Sequence, residues 1–310
     1  MKVGVAVAVE TVTVWNAIQS FQRLALSGKS PATKQWYRAC LSLLVQFLGE
    51  TRPLADVLEV DLFRWREQLE RKKLFPDTPR ERGLSLDTLH GYMRVTRRLF
   101  RWLQKRGLIE IDLVQDLNLP RLPKRGRRGI SDMHAQLILE EARRWSVRDY
   151  AMLLFFASTS ARRGGVAELK MSDLRLDYPE PTCRLATVFE KNGKERTVSM
   201  DEETLHALRA WVAVRPGSSE FVFVSDSGER LKVNSVSEVV DRYKKRLGIY
   251  GKCSPHQWRH RWFRRILSNR MPLAQAAQLG GHETVQITYQ FYGQYAADEL
   301  QSAYDKYFVP

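Results

Sequence analysis

Histidine, arginine and tyrosine residues are concentrated near the C-terminal end of this 310-residue chain. His256, Arg259 and His260 form the pattern H-x-x-R-H, and a Gly-Gly-His tripeptide ends at His282. Closely spaced His and Arg side chains can hold an oxyanion and move protons. Tyr292, which follows in the same stretch, offers a phenolic oxygen as a nucleophile. This combination indicates chemistry on a phosphodiester.

The same spacing resembles the C-terminal signature of the tyrosine recombinases, the phage integrase family. That signature is H-x-x-R-H, followed by G-H and then by a tyrosine. The matching residues are His256, Arg259, Gly281, His282 and Tyr292. Two other tyrosines compete for the nucleophile's place: Tyr295 is the next choice, and Tyr289 is expected to pack inward.

A second stretch, residues 159–173, resembles the first conserved box of that family, T-G-x-R-x-x-E-x-x-x-L-x-x-x-D. Arg162 falls on the catalytic arginine of the box. Two residues depart from the pattern: Ser160 replaces the usual glycine, and Gly165 stands where an acidic residue usually braces the arginine. The second departure bears on how Arg162 is oriented more than on its role.

A third stretch, residues 190–200, resembles the family hairpin G-K-x-x-K-E-R-x-V-P-L. Asn192-Gly193 between two strand-like runs is the strongest short-range signal for a hairpin turn. Lys191 takes the place of the catalytic lysine, and Glu190 replaces the glycine before it. These matches occur in the order that the family requires.

The resemblance implies that DNA is cut and rejoined through a 3′-phosphotyrosine bond. Tyr292 would attack phosphorus and displace the 5′ oxygen, and the new bond would conserve the phosphodiester energy. Neither ATP nor a cofactor is then required, and the sequence contains no carboxylate cluster suited to Mg²⁺. The other implied roles are Arg162 and Arg259 on the phosphate oxygens, His282 as a further hydrogen-bond donor, Lys191 as the acid and His256 as the base.

The net charge of +15, from 50 basic and 35 acidic residues, indicates a polyanionic partner, first of all double-stranded DNA. A predicted helix over residues 85–106 carries basic side chains along one face, and no acidic residue offsets them between Arg94 and Lys105. Like charges repel at helical spacing, so this face makes sense if phosphates cover it. Its basic residues are Arg94, Arg97, Arg98, Arg101 and Lys105.

The segment PRLPKRGRR, residues 120–128, contains two prolines and no acidic residue, and it is predicted to lie across a DNA backbone as a linker. Its basic residues are Arg121, Lys124, Arg125, Arg127 and Arg128. The alternative for the whole chain is a generic basic protein, which the clustering of charge disfavours.

The predicted fold is mainly α with a small antiparallel β-sheet, an α+β chain. The resemblance implies a helical core-binding N-terminal domain followed by a tyrosine recombinase catalytic domain. The expected segments are an N-terminal arm over 1–29, the core-binding domain over 30–118, a basic linker over 119–130 and the catalytic domain over 131–310. We expect the arm to begin as a strand or a poorly ordered stretch. Residues 220–225 are predicted to form a short strand, and residues 296–307 a final helix.

The resemblance also implies an assembly of four protomers around two duplexes, with the C-terminal helix docked on a neighbour; the alternative is that this helix packs on its own chain. No apolar run reaches the roughly 18 residues that a membrane span requires. The three cysteines, Cys40, Cys183 and Cys253, are far apart and show no metal spacing. A reducing cytoplasm is therefore expected, with the protein bound to the nucleoid through DNA.

The function that the resemblance implies is site-specific recombination, in the integration or excision of a mobile element or phage genome. Two alternatives stay open at this point. A type IB topoisomerase shares the chemistry but relaxes DNA as a monomer. A site-specific DNA-binding protein with a decayed catalytic site is the other, and Gly165 keeps it open.

Overall fold

The computed structural model describes residues 11–122, 129–190, 193–251, 253–293, 301, 304–306 and 308. The chain divides into two compact units, Met1–Lys124 and Arg125–Pro310, and the boundary falls within the predicted linker. The described residues are mostly helical, with two small antiparallel pairs of strands, which confirms the predicted fold class. Over these residues, no helix combines the length and the apolar character that crossing a membrane takes.

The N-terminal unit is a helical bundle. Its elements are α1 (Val14–Ala25), α2 (Pro31–Leu48), α3 (Glu59–Arg71), β1 (Lys73–Leu74), β2 (Arg82–Gly83) and α4 (Leu86–Lys105). Capping side chains mark the helix starts: the Ser30 hydroxyl accepts from the Thr33 N–H at α2, and the Ser85 hydroxyl accepts from the Thr88 N–H at α4. Gly107, at φ +69°, follows the end of α4.

Helix α1 is a correction to the expected N-terminal arm. Its apolar residues Val14, Ala17, Ile18 and Phe21 are buried in the core of the N-terminal unit. Their helical spacing was present in the sequence, but the alternating run of valine and alanine before residue 10 favoured a strand. That run itself lies outside the described residues.

The C-terminal unit is built around one buried helix. Its elements are α5 (Asp132–Trp145), α6 (Val147–Thr159), α7 (Arg163–Ala167), β3 (Leu185–Glu190), β4 (Lys194–Ser199), α8 (Glu202–Val214), α9 (Val233–Arg246), α10 (Pro255–Ser268), α11 (Leu273–Gly280) and α12 (Val285–Tyr292). Helix α6 is apolar nearly all round, and α5, α8 and α10 pack against it. A helix with that composition is stable only when neighbours surround it.

The predicted hairpin forms, with β3 and β4 paired from Leu185–Ser199 to Glu190–Lys194. Gly193 adopts φ +71° where the chain turns back. The predicted strand over 220–225 is wrong, because its residues form only isolated bridges, Lys170 with Phe221 and Val224 with Arg230. Most of the predicted helix over 296–307 lies outside the described residues.

Candidate functional site

The candidate site lies where helices α6, α10, α11 and α12 meet the hairpin. Helix α6 ends at Thr159, and Ser160 then takes a left-handed conformation, φ +56°, that turns the chain toward Arg162. Helix α10 carries His256, Arg259 and His260, which are spaced by one turn or less. Three separate stretches of sequence therefore contribute to one region.

Two buried arginines tie the end of α6 to the end of α11. Arg259, which is 2% exposed, donates to the backbone carbonyls of Ser160 and Gly280. Arg196, from β4, donates to the neighbouring carbonyls of Thr159 and Leu279. The last carbonyls of a helix have no donor within it, so these guanidinium groups satisfy them and also interact favourably with the negative ends of the helix dipoles.

One buried carboxylate balances part of this charge. Glu190, at the end of β3, has a side chain that is 4% exposed and forms ion pairs with Arg162 and Arg196. The Arg196 pair joins Nη2 to Oε1 at 2.9 Å. The side chain of Arg162 is 39% exposed, so this guanidinium reaches the surface while its carboxylate partner remains inside.

The three guanidinium groups act on one another. Burial, followed by repulsion from Arg162 and Arg196, lowers the pKa of Arg259. Burial and the charge of Arg196 likewise lower the pKa of Arg162, and the exposed Glu283 acts in the opposite direction. Within the described part of the chain, no carboxylate forms an ion pair with Arg259. The cluster thus carries excess positive charge, and a bound anion such as a phosphate would relieve the repulsion.

The ring of Phe263 lies at the centre of the site and contacts His282, Tyr292 and Arg259. Its fully buried ring stacks on His282 with centroids 4.5 Å apart and on Tyr292 with centroids 4.6 Å apart. The Arg259 guanidinium lies 5.0 Å from the same ring. His282 is oriented further by a 2.7 Å hydrogen bond between Nδ1 and the hydroxyl of Thr288.

Tyr292 is 9% exposed, and its hydroxyl contacts Nδ1 of His260. The sequence instead assigned the role of base to His256, which is exposed and packs edge-on against His260 with ring centroids 4.2 Å apart. His260 belongs to the H-x-x-R-H pattern but was not predicted as a site residue.

The competing tyrosines differ from Tyr292. Tyr289 is 55% exposed, so the expectation that it packs inward is wrong. On the described helix α12 the side chain lies on the solvent side, while Thr288 and Tyr292 are buried. Tyr295 and Lys191 lie outside the described residues, although Glu190, the neighbour of Lys191, lies in the cluster.

Four residues of this region were missed by sequence reasoning: Glu190, Arg196, His260 and Phe263. Glu190 was visible as a departure from the family hairpin, and Arg196 is the arginine of its K-E-R triplet. Phe263 stands one turn after Arg259, a position compatible with contact, but nothing in the sequence says which ring packs on which. Their roles depend on contacts between distant segments.

The basic face predicted on α4 is present in the N-terminal unit. Arg94, Arg98, Arg101 and Lys105 are exposed, and Arg97 is half-buried. Arg98 donates to the Tyr37 hydroxyl at 2.8 Å, and none of the five basic residues forms an ion pair with a described carboxylate. Of the predicted linker residues, Arg121 is exposed. The others, Lys124, Arg125, Arg127 and Arg128, lie outside the described residues.

Residues 130–299 match the model of the phage integrase family. Tyrosine recombinase XerC of Xanthomonas campestris pv. campestris is 27% identical over 279 residues, with 89% of this chain and 82% of that protein covered. Tyrosine recombinase XerC 2 of Ralstonia nicotianae is 29% identical over 298 residues, with 92% and 83% covered.

Solved structures with a similar fold include the Tn1549 transposon integrase in complex with circular intermediate DNA, at a TM-score of 0.75 and 17% identity, covering 94% of this chain and 99% of that one. Another is a lambda integrase tetramer bound to a Holliday junction, at a TM-score of 0.72 and 17% identity, covering 93% and 80%. At this identity the likeness shows a shared fold.

This fold and the family match define the class, a recombinase that cuts and rejoins DNA at specific sites. The chain belongs to the phage integrase family, the tyrosine recombinases. The two alternatives, a type IB topoisomerase and a decayed DNA-binding protein, are not favoured, since the named relatives are tyrosine recombinases.

The left-handed conformation of Ser160 gives a stability prediction. The residue is fully buried, and its hydroxyl has no hydrogen-bond partner among the described residues. Ser160→Gly removes the strain of the left-handed backbone, about 1–2 kcal/mol, and the orphan hydroxyl, while glycine costs about 0.5–1 kcal/mol of entropy. We expect a net rise of about 1 kcal/mol in the unfolding free energy of the C-terminal unit, measured by urea denaturation.

The matched control is Ala157→Gly, at a regular helical position three residues earlier in α6. It should lower the unfolding free energy by about 1 kcal/mol, the usual cost of glycine in a helix. A loss of stability in Ser160→Gly as large as that in the control would contradict the interpretation of strain at Ser160.

Proposed function

We propose that Tyr292 is the nucleophile and that Arg162, Arg259 and His282 bind the phosphate it attacks. The observation that carries this proposal is the packing of Arg259, His282 and Tyr292 on the single ring of Phe263. The excess positive charge of the arginine cluster supports an anionic ligand at the same place. Arg162, the most exposed guanidinium of the cluster, meets that ligand first.

Proton transfer completes the proposed reaction. The bond from the Tyr292 oxygen to phosphorus forms as the bond from phosphorus to the 5′ oxygen breaks. His256 accepts the phenolic proton, after the phenol leaves its contact with His260. Lys191 gives a proton to the departing 5′ oxygen. Attack by the 5′ hydroxyl of another strand reverses these steps and exchanges the partners.

The nucleophile is tested with a nicked suicide substrate, which traps the covalent complex because the short 5′ fragment diffuses away. In EDTA and without ATP, wild-type protein should form the adduct, and Tyr292→Phe should bind DNA equally well but form none. Tyr289→Phe and Tyr295→Phe are the matched controls and should still form it. An adduct in Tyr292→Phe, detected on a denaturing gel, would show that the nucleophile is elsewhere.

The same assay examines Lys191. A 5′-thio leaving group needs no protonation, so Lys191→Ala should slow cleavage of the ordinary phosphodiester far more than that of the thio substrate. Lys194→Ala, on the neighbouring strand of the hairpin, is the control. If Lys191→Ala slowed cleavage of both substrates equally, Lys191 would not be the acid.

We propose that the basic face of α4 contacts DNA phosphates. Each lost phosphate contact reduces the slope of log affinity against log salt by about 0.9. Reversing two charges, with Arg97→Glu and Arg101→Glu, should therefore weaken binding and flatten the slope by about 2, as measured by fluorescence anisotropy.

The matched control reverses two exposed arginines elsewhere in the same unit, Arg23 on α1 and Arg71 on α3. This control changes the net charge by the same amount, but its slope of log affinity against log salt should stay as steep as that of the wild type. If the Arg97 and Arg101 variant kept the wild-type salt dependence, α4 would not contact the DNA phosphates.

We also propose that four protomers assemble on two duplexes through the C-terminal segment. Tyr304 and Phe308 support this: each is 56% exposed, and their rings stack with centroids 4.8 Å apart. Replacing both with alanine should reduce the largest complex on recombining DNA from four protomers to two, as measured by light scattering. A tetramer that persists in this variant would mean that the segment packs on its own chain.

The setting that we propose is the cytoplasm, with the protein held on DNA. Its three cysteines are buried and unpaired, which suits a reducing compartment. We further propose that the exchange serves the integration or excision of a mobile element or phage genome. The support for this is the match to the phage integrase family and the fold shared with the Tn1549 transposon integrase and lambda integrase.

A further inference from the structure

We infer that Glu190 is a positioning residue for Arg162. From the hairpin, it braces the arginine as the acidic residue of the family box would from position 165, where this chain has a glycine. This inference rests on the proposed role of Arg162 at the phosphate. The two departures noted in the sequence, Gly165 and Glu190, meet at this one place in the structure. Glu190 does not touch the phosphate itself but sets the position of a group that does.

The carboxylate of Glu190 joins two arginines of the cluster. One oxygen of Glu190 contacts Nη1 of Arg162, and the other lies 2.9 Å from Nη2 of Arg196. A carboxylate with 4% of its side chain exposed is expensive to bury unless it is paired, and here both oxygens are paired. Arg196 is itself fixed to the ends of α6 and α11, so it anchors the carboxylate, which in turn holds Arg162.

The backbone at Gly165 explains why the acid comes from the hairpin. Helix α7 packs against β3, and a Cβ built at Gly165 would lie 3.1 Å from the carbonyl oxygen of Phe189 and 3.6 Å from the Cβ of Val188. Any side chain there would push against the strand. Glycine at 165 thus lets β3 approach closely enough for Glu190 to reach Arg162.

The position of Glu190 has a consequence for the reaction. It immediately precedes Lys191, so the strand that sets Arg162 also leads into the proposed acid. Among the described residues, the other support for the position of Arg162 is its backbone at the start of α7, a helix of five residues that begins with no side-chain cap. Without the carboxylate, the guanidinium would be repelled by Arg196 and Arg259 and would turn toward solvent.

The test is a cycle of four proteins: wild type, Glu190→Gln, Arg162→Ala and the double variant. Their rates of adduct formation are compared on the nicked suicide substrate. Misplacement of a catalytic group by about 1 Å can cost about 100-fold, so Glu190→Gln should slow cleavage by up to this factor. In the Arg162→Ala background the same substitution should add little, because the group that it positions is absent.

The matched control is Asp149→Asn. Asp149 is also a fully buried carboxylate between two arginines, Arg148 and Arg242, but it lies at the opposite end of α6. Its substitution should lower stability by disrupting a buried ion pair while leaving the rate of cleavage unchanged in protein that remains folded. If Glu190→Gln fails to fold, Glu190→Asp keeps the charge, shortens the reach by one methylene and is carried through the same cycle.

A second readout does not depend on cleavage. In ¹⁵N NMR of arginine-labelled full-length protein, the Arg162 guanidinium should give an ordered signal that becomes mobile in Glu190→Gln, while the Arg148 signal stays unchanged. A mobile Arg162 in wild type would overturn the inference.

Equal slowing by Glu190→Gln with and without Arg162, or no slowing at all, would also overturn the inference, because Glu190 would then act elsewhere or not at all. Absence of an adduct in wild type would contradict the proposed function instead. The NMR result would still decide whether Glu190 holds Arg162.

Discussion

The structure of the site depends on how two helices end. The last carbonyls of α6 and α11 have no donors of their own, and a buried helix end without partners is costly. Arg196 and Arg259 supply those donors at Thr159 and Ser160 on one side and at Leu279 and Gly280 on the other. The same arginines that satisfy the two helix ends therefore bring positive charge together in one place, and the anion binding that we propose for the site follows from how these helices pack.

This dependence separates the site residues into two groups. Arg259 and Arg196 are fixed by backbone carbonyls and are almost fully buried, so they define a rigid base. Arg162 and the hydroxyl of Tyr292 instead contact side chains, Glu190 and His260, which can change conformation more easily than backbone carbonyls. Rearrangement on DNA is therefore expected in the second group, where a change of partner costs least.

Helix boundaries are set by local signals, so the helix predicted over 85–106 closely matches α4, which has Ser85 as its cap and Gly107 just after its end. The family boxes likewise placed Arg259, His282 and Tyr292 in one region. Contacts between distant segments could not be predicted in this way. The proximity of Glu190 to Arg162 depends on how closely β3 approaches α7, and the contact of His260 with the phenol depends on the rotation of α10 about its axis.

The balance of charge in the arginine cluster also constrains the route by which such a sequence could arise. A chain with neither acid would leave three buried or half-buried guanidinium groups without a buried counterion, which burial alone makes costly. A chain with acids at both 165 and 190 would be crowded but closer to neutral. Moving the acid from the helix to the hairpin would therefore require a change in the approach of β3 to α7 as well as a change in charge.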